Sequence, residues 1–296
     1  MRPGARPAGA LLLWACLSPA AAGCGEEPPA ATAPAPAPAA PETPRPALPP
    51  LPELRTPEAS EVDAETFLKL EDPAEPPLLR WSFPAGRRWS LRFTQTIQQV
   101  VSATRGGTTT TVPGRDRNRG SFEFVGKGDG SAGVLVTIQT AEVSRDGKEV
   151  PREALEQQPP SRFEAVLRED GRSFVKSSKG GADARIFLDI LLAMQEGERT
   201  IDDGRISTRR TGTYKVAGRT CVRLESEFET SAGNDDGRRL MRGRVISYFD
   251  AADGRFVRAS AAVAASLRQV GKDARGAWAV QSIDSRTAFR AELSSP

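Results

Sequence analysis

Several short stretches carry residue types that could do chemistry, and each depends on the element that would hold it. Gly128-Asp-Gly130-Ser-Ala-Gly133 spells GxGxxG, the turn that brings backbone N–H groups close to a pyrophosphate. That use requires a helix immediately afterwards, because its N-terminus holds the anion. Here Val134-Leu-Val-Thr-Ile138 follows and reads as strand, so the glycines read as a hairpin turn. Ser173-Phe-Val-Lys176 spells SxxK, a serine activated by a lysine, which needs a helix to bring both onto one face. After the Asp170-Gly171 turn it reads as strand, where positions three apart face opposite ways, and neither SDN nor KTG follows.

Carboxylates offer a third chemistry. Asn234-Asp235-Asp236-Gly237 and Asp202-Asp203-Gly204 could present oxygens to calcium, but lack the alternating acids and terminal glutamate of a dedicated loop. They read as solvated turns. Glu225, Glu227 and Glu229 share one strand face; paired carboxylates can hydrolyse glycosides, and a charged, exposed face is the plainer reading. The chain has no histidine, which removes Ser-His-Asp triads, histidine-ligated zinc and the usual neutral-pH proton shuttle. No cofactor, metal site or catalytic residue is expected, and the protein reads as a non-enzyme.

Cysteine chemistry gives the firmest expectation. Arg2 and Arg6 precede the apolar run Ala10–Leu17, too short to span a bilayer and suited to a secretory signal. The run ends at Ala21-Ala22-Gly23-Cys24, which resembles a bacterial lipobox, although leucine is commoner than Ala21 at its first position. Residues 1–23 would then be a lipoprotein signal peptide and Cys24 the acylated residue. Two or three acyl chains on one cysteine hold a protein to a membrane where one does so only marginally. An ordinary cleaved signal with an incidental cysteine is the alternative. Cys16 would leave with the signal, so Cys221 has no disulfide partner and reads as a buried small hydrophobe. Gly25 avoids the aspartate that retains many lipoproteins in the inner membrane, which points to the outer membrane of a diderm envelope.

The positioning elements follow from periodicity. Residues 28–57 hold 12 of the 24 prolines, so 24–57 read as a lipidated, Pro/Ala-rich disordered tether in extended polyproline conformation. Residues 58–74 read as a short helix or linker, and 75–296 as one antiparallel β domain. In Arg88–Val101, Trp89, Leu91, Phe93, Ile97 and Val101 share one face and polar residues the other, the mark of a half-buried strand. Similar runs continue to the C-terminus, separated by Asp-Gly turns that suit hairpins. One helix is expected at 182–196, apolar nearly all round, ending at Gly197. The fold class is therefore mainly β: a large curved antiparallel sheet, half-barrel or open barrel, with the helix in its concave face and related halves near 76–180 and 205–296.

Gly86-Arg-Arg-Trp89, Gly212-Thr-Tyr-Lys-Val-Ala-Gly-Arg-Thr-Cys-Val222 and Tyr248-Phe-Asp-Ala-Ala-Asp-Gly-Arg-Phe-Val257 occur in an order that resembles uncharacterised bacterial lipoproteins with a large antiparallel sheet. More distantly, they are similar to half-barrel lipoprotein and lipid carriers of the LolA and LppX type. The resemblance implies acyl chains held between a curved sheet and a helical plug. A permanent tether departs from a soluble shuttle and favours local binding or hand-over.

Charge limits the partners. The formal net charge is +3; loss of Arg2 and Arg6 with residues 1–23, which contain no acids, leaves +1 and argues against general nucleic-acid binding. Arg115, Arg117 and Arg119 cluster, as do Arg238, Arg239, Arg242 and Arg244. They read either as a solvated face or as contacts to anionic lipid headgroups, lipopolysaccharide or peptidoglycan, since guanidinium forks suit phosphate and carboxylate. The expected partners are the membrane, through the anchor, and a lipid or envelope protein. The expected function is binding of an apolar ligand or envelope component in the concave face, at Trp89, Phe93, Ile97, Phe187 and Leu191. Plain core packing is the bland reading of those residues. A structural module docking on an envelope protein or glycan, and a carboxylate hydrolase, are the alternatives.

Overall fold

The computed structural model describes residues 44–177, 193–201, 204–272 and 276–294. Among them, thirteen strands form one antiparallel sheet that does not close into a barrel. The long strands are β2 (Arg88–Arg105), β3 (Thr108–Gly126), β4 (Ser131–Arg145), β6 (Ser161–Arg168), β9 (Gly204–Val216), β10 (Arg219–Gly233), β11 (Gly237–Asp250), β12 (Arg255–Lys272) and β13 (Trp278–Leu293). Short strands are β1 (Leu68–Leu70), β5 (Lys148–Glu149), β7 (Ser173–Ser177) and β8 (Gly197–Ile201). The spatial order is β1-β9-β10-β11-β12-β13-β2-β3-β4-β6-β7, with β5 beside β4 and β8 beside β9. Two meanders, β2–β7 and β8–β13, are thus joined through their first and last strands. Tight turns follow the local chemistry: Gly106-Gly107, Asp146-Gly147 and Ala217-Gly218 all have positive φ at both positions, as two-residue hairpins of this twist require.

A short segment curls the sheet. Trp81 donates its backbone N–H to Glu169 in the β6–β7 turn, and Ser82 donates to Gly254 in the β11–β12 turn. β6 and β12 are five positions apart in the order, about 24 Å in a flat sheet, yet adjacent residues bond to both. The Trp81 ring completes the closure. It lies 5.8 Å from Phe124 on β3 and 5.7 Å from Phe249 on β11, and also touches Phe83, Trp89 and Phe256. Each such ring pair adds about 0.5–1.5 kcal/mol beyond its buried area. Toward this concave side point Leu91, Phe93, Phe122, Val134, Leu167, Leu224, Val245 and Phe289, one continuous core.

The convex face has its own covering. From Arg45, whose guanidinium meets Asp236 and lies over Trp278, the chain runs across β11, β12 and β13 to β1, which pairs with the edge of β9. We call residues 44–70 the strap. The α1 turn (Ala59–Val62) and Phe67 pack on Val216, Cys221, Ile246, Tyr248 and Val257. Asp63 accepts from Arg258 Nη2 at 2.8 Å and from the Tyr248 hydroxyl at 2.9 Å; Glu65 meets Arg258 and Arg290.

Three features differ from sequence expectation. Residues 44–57, assigned by composition to an open tether, lie along the sheet, because Arg45 and the Leu54 carbonyl find partners there. The sheet begins at Leu68, ahead of residue 75. The expected 182–196 helix lies outside the described residues as far as residue 192; Ala193–Glu196 are described and are not helical, and Gly197 opens β8 instead of capping a helix. Ala193 and Met194 are buried in the concave core. A second helix, α2 (Arg152–Glu156), sets Leu155 beside β4.

Candidate functional site

β12 contains the run Ala259-Ser-Ala-Ala-Val-Ala-Ala-Ser266, in which both strand faces are small. Register gives its convex-face residues longer neighbours on β11 and, for Ala264, on β13 as well. Ala264 pairs with Arg242 on β11 and Arg286 on β13; Ala262 pairs with Arg244 and with Ala288. Side chains this short leave a depression in the sheet surface, and β2 extends it with Thr96, Gln98 and Val100. Val100 is 43% exposed, one of few large hydrophobic side chains left open among the described residues.

The strap forms the opposite wall. Pro52, Leu54 and Pro57 face this floor and enclose with it an open groove of about 1380 Å³. Proline fixes the backbone in an extended form that spans the floor without needing a ladder partner. Arg242 bonds the Leu54 carbonyl at 2.6 Å and Glu229 at 2.8 Å, so one guanidinium ties wall to floor. Arg55 forks onto Glu61. Hydrogen bonding from Arg55, then from the Glu58 backbone N–H, holds the Glu61 carboxyl down at about 2, with a smaller contribution from the Arg286 charge. Arg115 and Arg286 line the groove, and among the described residues neither forms an ion pair. The site is thus an apolar floor and wall bounded by two tied cations, Arg55 and Arg242, and two exposed ones, Arg115 and Arg286.

The sequence-predicted ligand face lies on the other side of the same strand. Trp89 stacks on Phe124 with centroids 3.7 Å apart, Phe93 packs against Phe122 and Phe289, and Ile97 is buried. Trp89 and Phe93 belong to the concave core, and Ile97 is buried on the same face of β2. Phe187, Leu191 and Cys24 lie outside the described residues. Of the groove residues, Arg115 and Arg242 belong to the arginine clusters noted in sequence, whereas the alanine floor went unnoticed, although the run Ala261-Ala262-Val263-Ala264-Ala265 departs from the polar–apolar alternation of its neighbours, and that departure was a readable signal.

The chemical motifs resolve as follows. Gly128–Gly133 spans the β3–β4 turn and the first residues of β4, with Asp129 accepting from the Ser131 N–H and hydroxyl; strand, not helix, follows. Ser173 and Lys176 sit three apart on β7. Asn234 Oδ1 accepts from the Asp236 and Gly237 N–H groups, a self-satisfied turn. The three glutamates each face an arginine: Glu225 meets Arg209 and Arg223, Glu227 meets Arg244, and Glu229 meets Arg242. Glu225 is buried, which the expectation of an exposed face missed. Burial pushes the Cys221 thiol up to about 12.

No family model matches this chain, and no curated protein does. Among solved structures, one of lipid–protein interactions in lipovitellin is similar at a TM-score of 0.40 and 12% identity, covering 72% of this chain. The match spans only 26% of the lipovitellin chain. A DUF1329 family protein from Desulfovibrio piger matches at a TM-score of 0.15 and 12% identity, over 65% of this chain and 83% of its own. A domain named for outer membrane lipoprotein sorting, from Vibrio parahaemolyticus, matches at 0.11 and 6% identity, over 68% and 84%.

Proposed function

We propose that this chain is a non-enzymatic binding module of the bacterial envelope, anchored through acylated Cys24 at the outer membrane, that seats an apolar or amphiphilic ligand. The observation that carries the binding is the groove between strap and sheet: about 1380 Å³, floored by Ala262, Ala264, Ala288 and Val100. A volume of this size falls above the usual range for small-molecule sites and accommodates extended chains. Small apolar residues let a methylene chain lie flat, and each CH₂ removed from water contributes about 0.8 kcal/mol. The paired state of Glu225, Glu227 and Glu229 supports binding over hydrolysis, since each carboxylate is already occupied by a guanidinium. The ligand site therefore shifts from the concave face expected at Trp89, Phe93 and Ile97 to the convex one.

Native mass spectrometry of the full chain extracted from envelopes in mild detergent tests this reading. The expected result is a stoichiometric lipid adduct beyond the covalent anchor, dissociable under activation. A bare chain that also fails to take up a fluorescent acyl probe would contradict it.

A further inference from the structure

We infer that the groove selects an amphiphile bearing an anionic phosphate headgroup, held between Arg286 and Arg115 over Gln98. This rests on the groove being the binding site and adds the class of its ligand.

Register places the three residues in one row. Gln98 on β2 pairs directly with Arg286 on β13 and with Arg115 on β3, and all three point to the convex side. Adjacent strands are about 4.8 Å apart, so the two arginine backbones stand about 10 Å apart with the Gln98 amide between them. Guanidinium forks of that length reach inward to a shared anion, and a phosphate accepts from both while the amide supplies a further donor.

The other cations of the groove are already committed. Arg55 is taken by Glu61, and Arg242 by Glu229 and the Leu54 carbonyl. Of the lining carboxylates, Glu61 holds Arg55 and Asp284 holds Arg268, while Glu53 has no ion-pair partner among the described residues. Arg286 attracts Glu61 only at longer range. The unpaired lining charges are thus two arginines against one glutamate, so the groove lacks an anion.

The same row continues into the apolar floor. Arg286 is followed on β12 by Ala264, and one row over lie Ala262 and Ala288. A phosphate over Gln98 therefore sets its attached chain onto the alanines, beneath Leu54 and Pro57. The cationic end and the apolar end of the groove match the two ends of one phospholipid-like molecule. Free phosphate would use only the first, and a neutral lipid only the second.

The test is a fluorescence titration of the purified full chain with a soluble short-chain phosphatidylglycerol carrying a labelled tail. The comparisons are a diacylglycerol with the same tail, and competition by inorganic phosphate. The inference expects phosphatidylglycerol to bind at least about tenfold tighter than diacylglycerol, with that advantage lost in Arg115→Gln and in Arg286→Gln while their melting midpoints stay at wild type. Inorganic phosphate at equal concentration should not displace the lipid. Equal affinity for both lipids would overturn the headgroup assignment and leave the groove as a binding site. Displacement by equimolar inorganic phosphate would overturn it too, showing a plain anion site. Failure of both lipids to bind, as when a protein partner or another segment fills the groove, would overturn the binding reading itself.

Discussion

Asp63→Ala should loosen the strap and destabilise the whole sheet. The Asp63 side chain is 2% exposed and serves two buried donors, Arg258, whose side chain is 6% exposed, and the Tyr248 hydroxyl. Removing one member of a buried ion pair costs about 3–5 kcal/mol, because the remaining charge is left without its partner. Arg258 keeps Glu65 and Glu292, so the expected loss falls below that range, at about 2–3 kcal/mol. At roughly 2–4 °C per kcal/mol for a domain of this size, the melting midpoint should drop by about 4–12 °C. Circular dichroism melts measure it directly. Trypsin supplies a local readout, since Arg55 lies on the strap and should be cut faster in the variant. Asp63→Asn retains an acceptor for Tyr248 and should lose less. A variant with an unchanged midpoint and unchanged cleavage at Arg55 would refute the claim that the strap is an integral part of the fold.

Two further outcomes follow from titratable groups. Burial opposes the Asp253 charge, but hydrogen bonds from Arg219, Arg87 and Arg255 outweigh it and hold the carboxyl at about 2. Its folded value lies below the unfolded one of about 3.9, so its contribution is complete above that pH and is lost as pH falls toward about 2. Asp253→Asn should therefore reduce stability at neutral pH and flatten the acid limb of a stability–pH curve between those values; an unchanged limb would count against the network. Cys221, fully buried on the strap side with its thiol raised to about 12, should ignore a thiol-specific chromogenic reagent at pH 8 in a Cys16→Ser, Cys24→Ser chain and react only on unfolding. Prompt reaction in the native protein would contradict that burial.

Much of the sheet was legible because alternation is a local signal. β2 follows the Trp89–Val101 pattern residue by residue, and the Asp146-Gly147 turn falls where two-residue loops require positive φ. The strap was illegible for the opposite reason. A proline-rich stretch carries no periodicity, and its anchors are distant in sequence: Arg258 is 195 positions from Asp63. The curl of the sheet likewise depends on a short segment, Trp81–Phe83, whose backbone bonds reach the β6–β7 and β11–β12 turns and whose Trp81 ring joins β3 to β11. Trp89, Phe93 and Ile97 were placed on the correct face of β2, but sequence alone could not separate a lined cavity from a packed core. The groove emerges only when Ala264 is seen between Arg242 and Arg286, with Ala262 and Ala288 side by side in the next row.

Occupancy of the groove is tested most directly by filling its floor. Ala264→Trp sets an indole into the space between strap and sheet, whereas Ile97→Ala changes the buried concave face of an adjacent part of the sheet. Titrated with the labelled short-chain phosphatidylglycerol, Ala264→Trp should lose binding while its far-ultraviolet spectrum stays that of the wild type, and Ile97→Ala should keep it. Wild-type affinity in Ala264→Trp, with loss in Ile97→Ala, would place the ligand inside the curl and contradict the account.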